Sequence, residues 1–194
     1  HTNSDESIAV VHNGIIENHS KLRSELENQG YEFSSETDTE VIPHLLDRYL
    51  EQTGSPEEAF QKTISRLVGS YAVLALFAEK PDALYAAKLS SPLVLGINER
   101  EHFAASTPNV ITDMTKKVIL LEDKEIAVLS ESEGYKSWHL ISGDETTRPP
   151  IELEEINQKA ELGDFPHFML KEIHDAPETI LAATRGRIRP EENI

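Results

Sequence analysis

The apolar positions follow two different rhythms, one on each side of Gly69. Before it they recur at helical spacing. Leu22 and Leu26 mark a helix over 17–29, closed by the Asn28–Gly30 stretch. Val41, Leu45, Leu46, Tyr49 and Leu50 form the stripe of a second helix, with Pro43 in its first turn. Gly54-Ser55-Pro56 stops that helix and starts a third. Ser55 is its predicted cap, and Ala59, Phe60, Thr63, Ile64 and Leu67 its core face. After Gly69 the runs become short and are punctuated by turn signals. Strands are predicted over 71–77, 83–88, 93–97, 118–121, 125–129 and 138–141, with a helical turn at Thr107-Pro108. A meander of antiparallel strands is the expected arrangement, in one sheet or two. Ahead of all these, Ile8-Ala9-Val10-Val11 reads as a buried strand ending in a turn at Asn13-Gly14. Helices followed by strands give an α+β fold class, helices packed on antiparallel sheet.

The pattern changes again at 146–150, a polar break containing proline, where the main domain boundary is expected: 1–148, then 149–194. Beyond it, 152–162 is acidic and weakly helical, and Asp164 is placed to cap Phe165-Pro166. Phe168, Met169, Ile173 and Ile180 continue a helical segment interrupted by Pro177. Arg185, Arg187 and Arg189 form a basic end.

Composition narrows the function classes. The 194 residues carry a formal charge of -17 with 38% hydrophobic residues, which suits a soluble domain with a real core. That charge repels nucleic acid and anionic membrane, so neither is an expected partner. The longest apolar run, 71–78, is far too short to cross a bilayer. Cysteine is absent, so disulfides and thiol chemistry within the chain are excluded. The histidines His12, His19, His44, His102, His139, His167 and His174 have no metal-ligand spacing, and no metal is expected. The chain opens on His1, with no secretory h-region after it, and His1 is expected not to be a native translation start.

Two short stretches hold candidate chemistry. In Val11-His12-Asn13-Gly14-Ile15-Ile16-Glu17-Asn18, Asn-Gly after a strand is a strong hairpin signal. The apolar pair Ile15-Ile16, however, leads into a helix, not an alternating return strand. A side-chain amide beside a glycine N–H, at a backbone open to close approach, supplies the two donors an acyl-transfer oxyanion needs. In Ser35-Glu36-Thr37-Asp38-Thr39-Glu40, Thr37 and Glu40 have capping-box spacing at a helix start. Asp38 is left without a capping task and could face a ligand's ammonium group.

Together these stretches resemble the class II glutamine amidotransferases, and within them the glucosamine-6-phosphate synthase branch. Gly69-Ser70-Tyr71-Ala72, Ser91-Pro92-Leu93-Val94-Leu95-Gly96 and Val118-Ile119-Leu120-Leu121-Glu122-Asp123 add to the resemblance. So do the segment from Phe165 to Pro177 and the motif Arg185-Gly186-Arg187-Ile188, all in the family's order. The resemblance implies an N-terminal-nucleophile glutaminase fold, an αββα sandwich, present here incompletely. It implies that Asn13 and Gly14 donate to the oxyanion, that Asp38 binds the α-ammonium of glutamine, and that His1 lies near the glutamine pocket. It implies no cofactor, a cytoplasmic enzyme, and a homodimeric parent that passes ammonia from glutamine to fructose 6-phosphate. Residues 149–194 would be the linker and the start of the sugar-phosphate isomerase domain.

This sequence departs from the family in three places. The family's nucleophilic N-terminal cysteine and its carboxylate-binding Arg-Trp-Ala-Thr-His-Gly motif are absent. Ser106-Thr107 stands where Ser-Asp is usual. This chain alone is therefore expected to be inactive. The competing expectations are another class II amidotransferase, such as the one that opens purine synthesis, and a non-catalytic glutamine-binding module.

Overall fold

A computed structural model of the chain describes residues 1–98, 101–152 and 165–184. Two units are distinguished, 1–155 and 156–194. The basic end 185–189, Asp164 and most of the acidic stretch 152–162 lie outside the described residues.

The first unit opens with β1 (Ile8–Ile16), then α1 (His19–Glu27), a 3-10 turn at Asp38–Glu40, α2 (Val41–Thr53) and α3 (Pro56–Arg66). The helices form where local signals place them. Gly54 adopts φ 64° and returns its N–H to Leu50 O, closing α2. Ser55 then accepts from the Glu58 N–H at 3.3 Å, with Pro56 beginning α3. The strands follow: β2 (Gly69–Phe77), β3 (Ala83–Leu89), β4 (Val94–Ile97), β5 (His102–Ala105), β6 (Lys117–Leu120), β7 (Glu125–Ser130), β8 (Gly134–His139) and β9 (Ile151–Glu152). A 3-10 turn at Pro108–Val110 occupies the predicted Thr107-Pro108 position, without a side-chain cap bond.

These strands make two sheets, in the orders β1-β2-β3-β7-β8 and β5-β4-β6-β9. The expected simple meander is therefore corrected. After β3 the chain leaves the first sheet, builds most of the second, and returns as β7 beside β3, with Ala83 opposite Ser130. Alternation along the strands explains the layering. Tyr71, Val73, Ala75 and Phe77 of β2, with Tyr85 and Ala87 of β3, join Leu22, Leu45, Leu46, Phe60 and Ile64 in the main core under the helices. The intervening Ala72 and Ala86, with Ala127 and Leu129 of β7, pack against Leu95 and Ile119 of the second sheet. Helices, first sheet and second sheet thus stack in order, as an α+β fold requires.

The strand β1 corrects another expectation. It does not end in a turn at Asn13-Gly14 but runs through to Ile16, paired throughout with β2 from Ile8↔Phe77 to Ile16↔Gly69. Ile16 is fully buried, so the burial of that side chain carries the strand past the glycine. In the second unit, α4 (Phe168–Thr184) continues through Pro177, where a break was expected. A proline removes one helical hydrogen bond and crowds the preceding turn without having to end the helix.

Candidate functional site

The site is built on β1 and the turn that leads into α2. Because side chains alternate, His12 faces the helices, while Val11, Asn13 and Ile15 face the other way. His12 Nδ1 is 2.9 Å from Thr39 Oγ1. Burial pushes the His12 pKa down, against the pull of the nearby Asp38 carboxylate. On the opposite face Val11 and Ile15 are 62% and 66% exposed. Asn13 is exposed too, and its side-chain amide has no hydrogen-bond partner among the described residues. It borders a cavity of about 220 Å³ lined also by Ala72, Leu74, Pro92, Leu93 and Ser106.

Gly14 has φ +132°. A Cβ there would lie 2.1 Å from Ser70 O, so β2 itself requires the glycine. The anticipated reason, room for a ligand, is thus joined by a stronger one from within the sheet.

Asp38 sits in the 3-10 turn, half-buried. Its Oδ2 accepts the Ile16 N–H at 2.7 Å, at the end of β1. It therefore has a structural task that its sequence context did not reveal, with Oδ1 directed elsewhere, 3.5 Å from Thr39 Oγ1. The expected capping box is not formed: Thr37 makes no side-chain cap bond. Glu40 instead accepts from Ser34 N, Ser34 Oγ, Ser35 N and Ser35 Oγ. Burial pushes the Glu40 pKa up, but these bonds outweigh it and bring it down to about 2. His1 is exposed. Its Nε2 lies 3.0 Å from Thr37 Oγ1, and its amino group donates to Val10 O at 3.0 Å. His1 and Asp38 are thereby brought to the same turn, and Asn13 and Gly14 to the strand it is bonded to.

The motif blocks at 69–72, 91–96 and 118–123 come together within the first unit. Ser70 Oγ and Ser91 Oγ are 2.9 Å apart. Asp123 accepts from the Ser90 N–H at 2.9 Å and from Lys88 Nζ at 2.7 Å. Asn18 clamps the end of α3, donating to Arg66 O at 2.8 Å and accepting from the Val68 N–H at 3.0 Å. Among the described residues, no group of three or more His, Cys, Asp or Glu side chains could hold a metal ion.

A sequence model of the glutamine amidotransferase domain matches residues 1–113. The chain is 43% identical over 179 residues to a glutamine–fructose-6-phosphate aminotransferase (isomerizing) of Thermococcus kodakarensis, covering 92% of this chain and 30% of that protein. It is 41% identical over 189 residues to the protein of the same name from Pyrococcus horikoshii, covering 97% of this chain and 31% of the relative. The chain thus spans about three tenths of the length of the curated relatives it matches. Among solved structures it is similar to glutamine phosphoribosylpyrophosphate amidotransferase from B. subtilis, complexed with ADP and GMP. The TM-score is 0.60 at 26% identity, over 72% of this chain and 30% of that one. A structure described as the allosteric regulatory enzyme of purine biosynthesis gives a TM-score of 0.58 at 28% identity, over 69% of this chain and 28% of that one.

Proposed function

This chain belongs to the glutamine amidotransferase domain family, and on that premise we propose that it is the glutamine-hydrolysing part of a glutamine–fructose-6-phosphate aminotransferase. The intact enzyme releases ammonia from glutamine and uses it to make glucosamine 6-phosphate from fructose 6-phosphate. Residues 1–148 are the glutaminase portion, and 149–194 lead into a sugar-phosphate isomerase domain through which the parent dimerises. The resemblance to this branch of the family supports a cytoplasmic parent. No helix among the described residues is long and apolar enough to cross a membrane. The identities of 41–43% to aminotransferases of that name, against 26–28% to the purine enzymes, favour this branch of the family.

The observation that carries the reading is the Asn13 amide: exposed, without a hydrogen-bond partner among the described residues, and beside a glycine, on the strand whose end is bonded to Asp38. Glutamine lies with its α-ammonium at Asp38 and its side-chain carbonyl oxygen toward Asn13 Nδ2 and the Gly14 N–H. A cysteine thiolate, supplied by a part of the parent outside this sequence, attacks the amide carbon. The carbonyl π electrons move onto oxygen, and the two donors stabilise the resulting oxyanion. The C–N bond then breaks, the nitrogen takes a proton and leaves as ammonia, and water hydrolyses the thioester to glutamate.

Asn13→Ala in the full-length enzyme tests this assignment. Because the bond strengthens only as the oxyanion forms, kcat for glutamine hydrolysis falls by roughly a hundred- to a thousandfold with KM little changed. A normal kcat per folded molecule removes Asn13 from the chemistry.

A further inference from the structure

Glu40 is 2% exposed and faces its four donors with both carboxylate oxygens. Oε1 accepts from Ser34 N at 2.6 Å and Ser34 Oγ at 2.8 Å, and Oε2 accepts from Ser35 N at 2.7 Å and from Ser35 Oγ. The bonds fold the segment before the 3-10 turn back onto the start of α2. Arg23 holds the same segment from outside, donating to Ser35 O at 2.6 Å, with its guanidinium 4.3 Å from the Phe33 ring centre. The network runs on to residues of the site. Ser35 Oγ is 3.0 Å from Thr37 Oγ1, which is 3.0 Å from His1 Nε2. Asp38 and Glu40 share one 3-10 turn, Asp38 tied to Ile16 N and Glu40 to the serines. The turn is therefore pinned from two sides, by one carboxylate each.

We propose that Glu40 is a positioning residue for glutamine: it fixes the turn so that Asp38 meets the substrate's α-ammonium. This rests on the reading of Asp38 as the ammonium-binding carboxylate. The chemistry demands a carboxylate at 40. Each oxygen accepts one backbone N–H and one hydroxyl, and a carboxamide would turn an NH2 group toward one such pair: the serine hydroxyl can rotate to accept it, but the backbone N–H is left donor against donor. A glutamine at 40 would therefore release one serine and loosen the turn without emptying the space. Thr37 and Glu40 fit the capping-box spacing, and this hides the role in the sequence; the serines at 34 and 35 compete for the same carboxylate and win.

The test uses the full-length enzyme and four variants, Glu40→Gln, Ser35→Ala, Asp38→Asn and the double change at 38 and 40. Steady-state glutamine hydrolysis and a thermal melt are read on the same preparations. Glu40→Gln raises KM for glutamine about tenfold, the size expected when one charge-assisted bond to the substrate is misaligned, with kcat within about twofold. Ser35→Ala, which removes one hydroxyl and leaves the buried carboxylate in place, raises KM in the same sense by a smaller factor. The double variant binds glutamine no worse than Asp38→Asn alone, since Glu40 acts through Asp38. A lower melting temperature with KM unchanged in both Glu40→Gln and Ser35→Ala makes Glu40 structural and overturns the proposal. If Glu40→Gln does not fold, Ser35→Ala decides: an unchanged KM overturns the proposal and a raised one supports it. Unchanged KM in Asp38→Asn sinks the ammonium reading itself. A raised KM there, beside normal KM in folded Glu40→Gln, sinks the present inference alone.

Discussion

Gly14 and Gly69 crowd each other's strands reciprocally. A Cβ on Gly14 would lie 2.1 Å from Ser70 O, and one on Gly69 would lie 2.1 Å from Ile15 O. Both have φ near +130°, where a side chain is strained whatever the space around it. Gly14→Ala therefore lowers stability by upwards of about 3 kcal/mol, combining backbone strain with overpacking against a sheet that cannot move aside. A denaturant melt checks this, and a variant within about 0.5 kcal/mol of wild type, the range of an ordinary surface change, would show the strands more yielding than drawn here. Kinetic tests of the oxyanion donors consequently belong at Asn13, whose side chain is exposed and bears no load in the sheet. Residue-scale features were legible in the sequence where their partners are near in the chain. Ser55 caps from three residues away, and Gly54 closes its own helix. The sequence offers a turn or room for a ligand as the reason for Gly14, and hides the clash with Ser70 because that neighbour is remote in sequence. Asp38 was expected to be free of structural duty for the same reason: Ile16 N, its partner, lies on another element.

At the scale of elements, the segment leading to β9 ties the two sheets together. Thr146 donates its N–H to Ser137 O at 2.8 Å, on β8 of the first sheet. Ile151 pairs with Val118 of β6, in the second. Between them Arg148 grips Glu125 with both guanidinium nitrogens, Nη1 at 2.9 Å from Oε2, and Glu125 is 2% exposed. Arg148→Ala leaves that carboxylate buried without its cation and costs about 3 kcal/mol, the low end for breaking a buried pair, since Arg148 itself is a third exposed. Arg148→Ala with Glu125→Leu should recover part of the loss in the same melt; no recovery would mean that Arg148 matters through other contacts. In the sequence this stretch reads as a polar break with prolines, since the ion pairs of one arginine and a two-residue strand leave no periodic signal. The half-buried edge strand β5 escaped notice likewise, with two alanines among its four residues. The helices and the central strands were legible because each buries a regular stripe or an unbroken apolar run.

For the whole molecule, the continuous apolar run of β2 lies between two layers, helices on one side and the second sheet on the other, with Leu76 left 47% exposed. What the run could not specify is which strands share a sheet, since strands of either sheet carry similar residues. The purified chain should release no glutamate from glutamine above a heat-treated control, because its 194 residues contain no cysteine to attack the amide. Measurable turnover would mean that another nucleophile serves beside Asn13. The path of the chain has a consequence for synthesis. β3 ends at Leu89, and its second neighbour, β7, begins at Glu125. On the ribosome the central strand of the first sheet must emerge with one edge unpaired and stay so while most of the second sheet is translated. Late pairing between distant strands is slow and leaves that edge open to other chains. The stretch from Ser90 to Lys124 thus sets how long that edge stays open during synthesis.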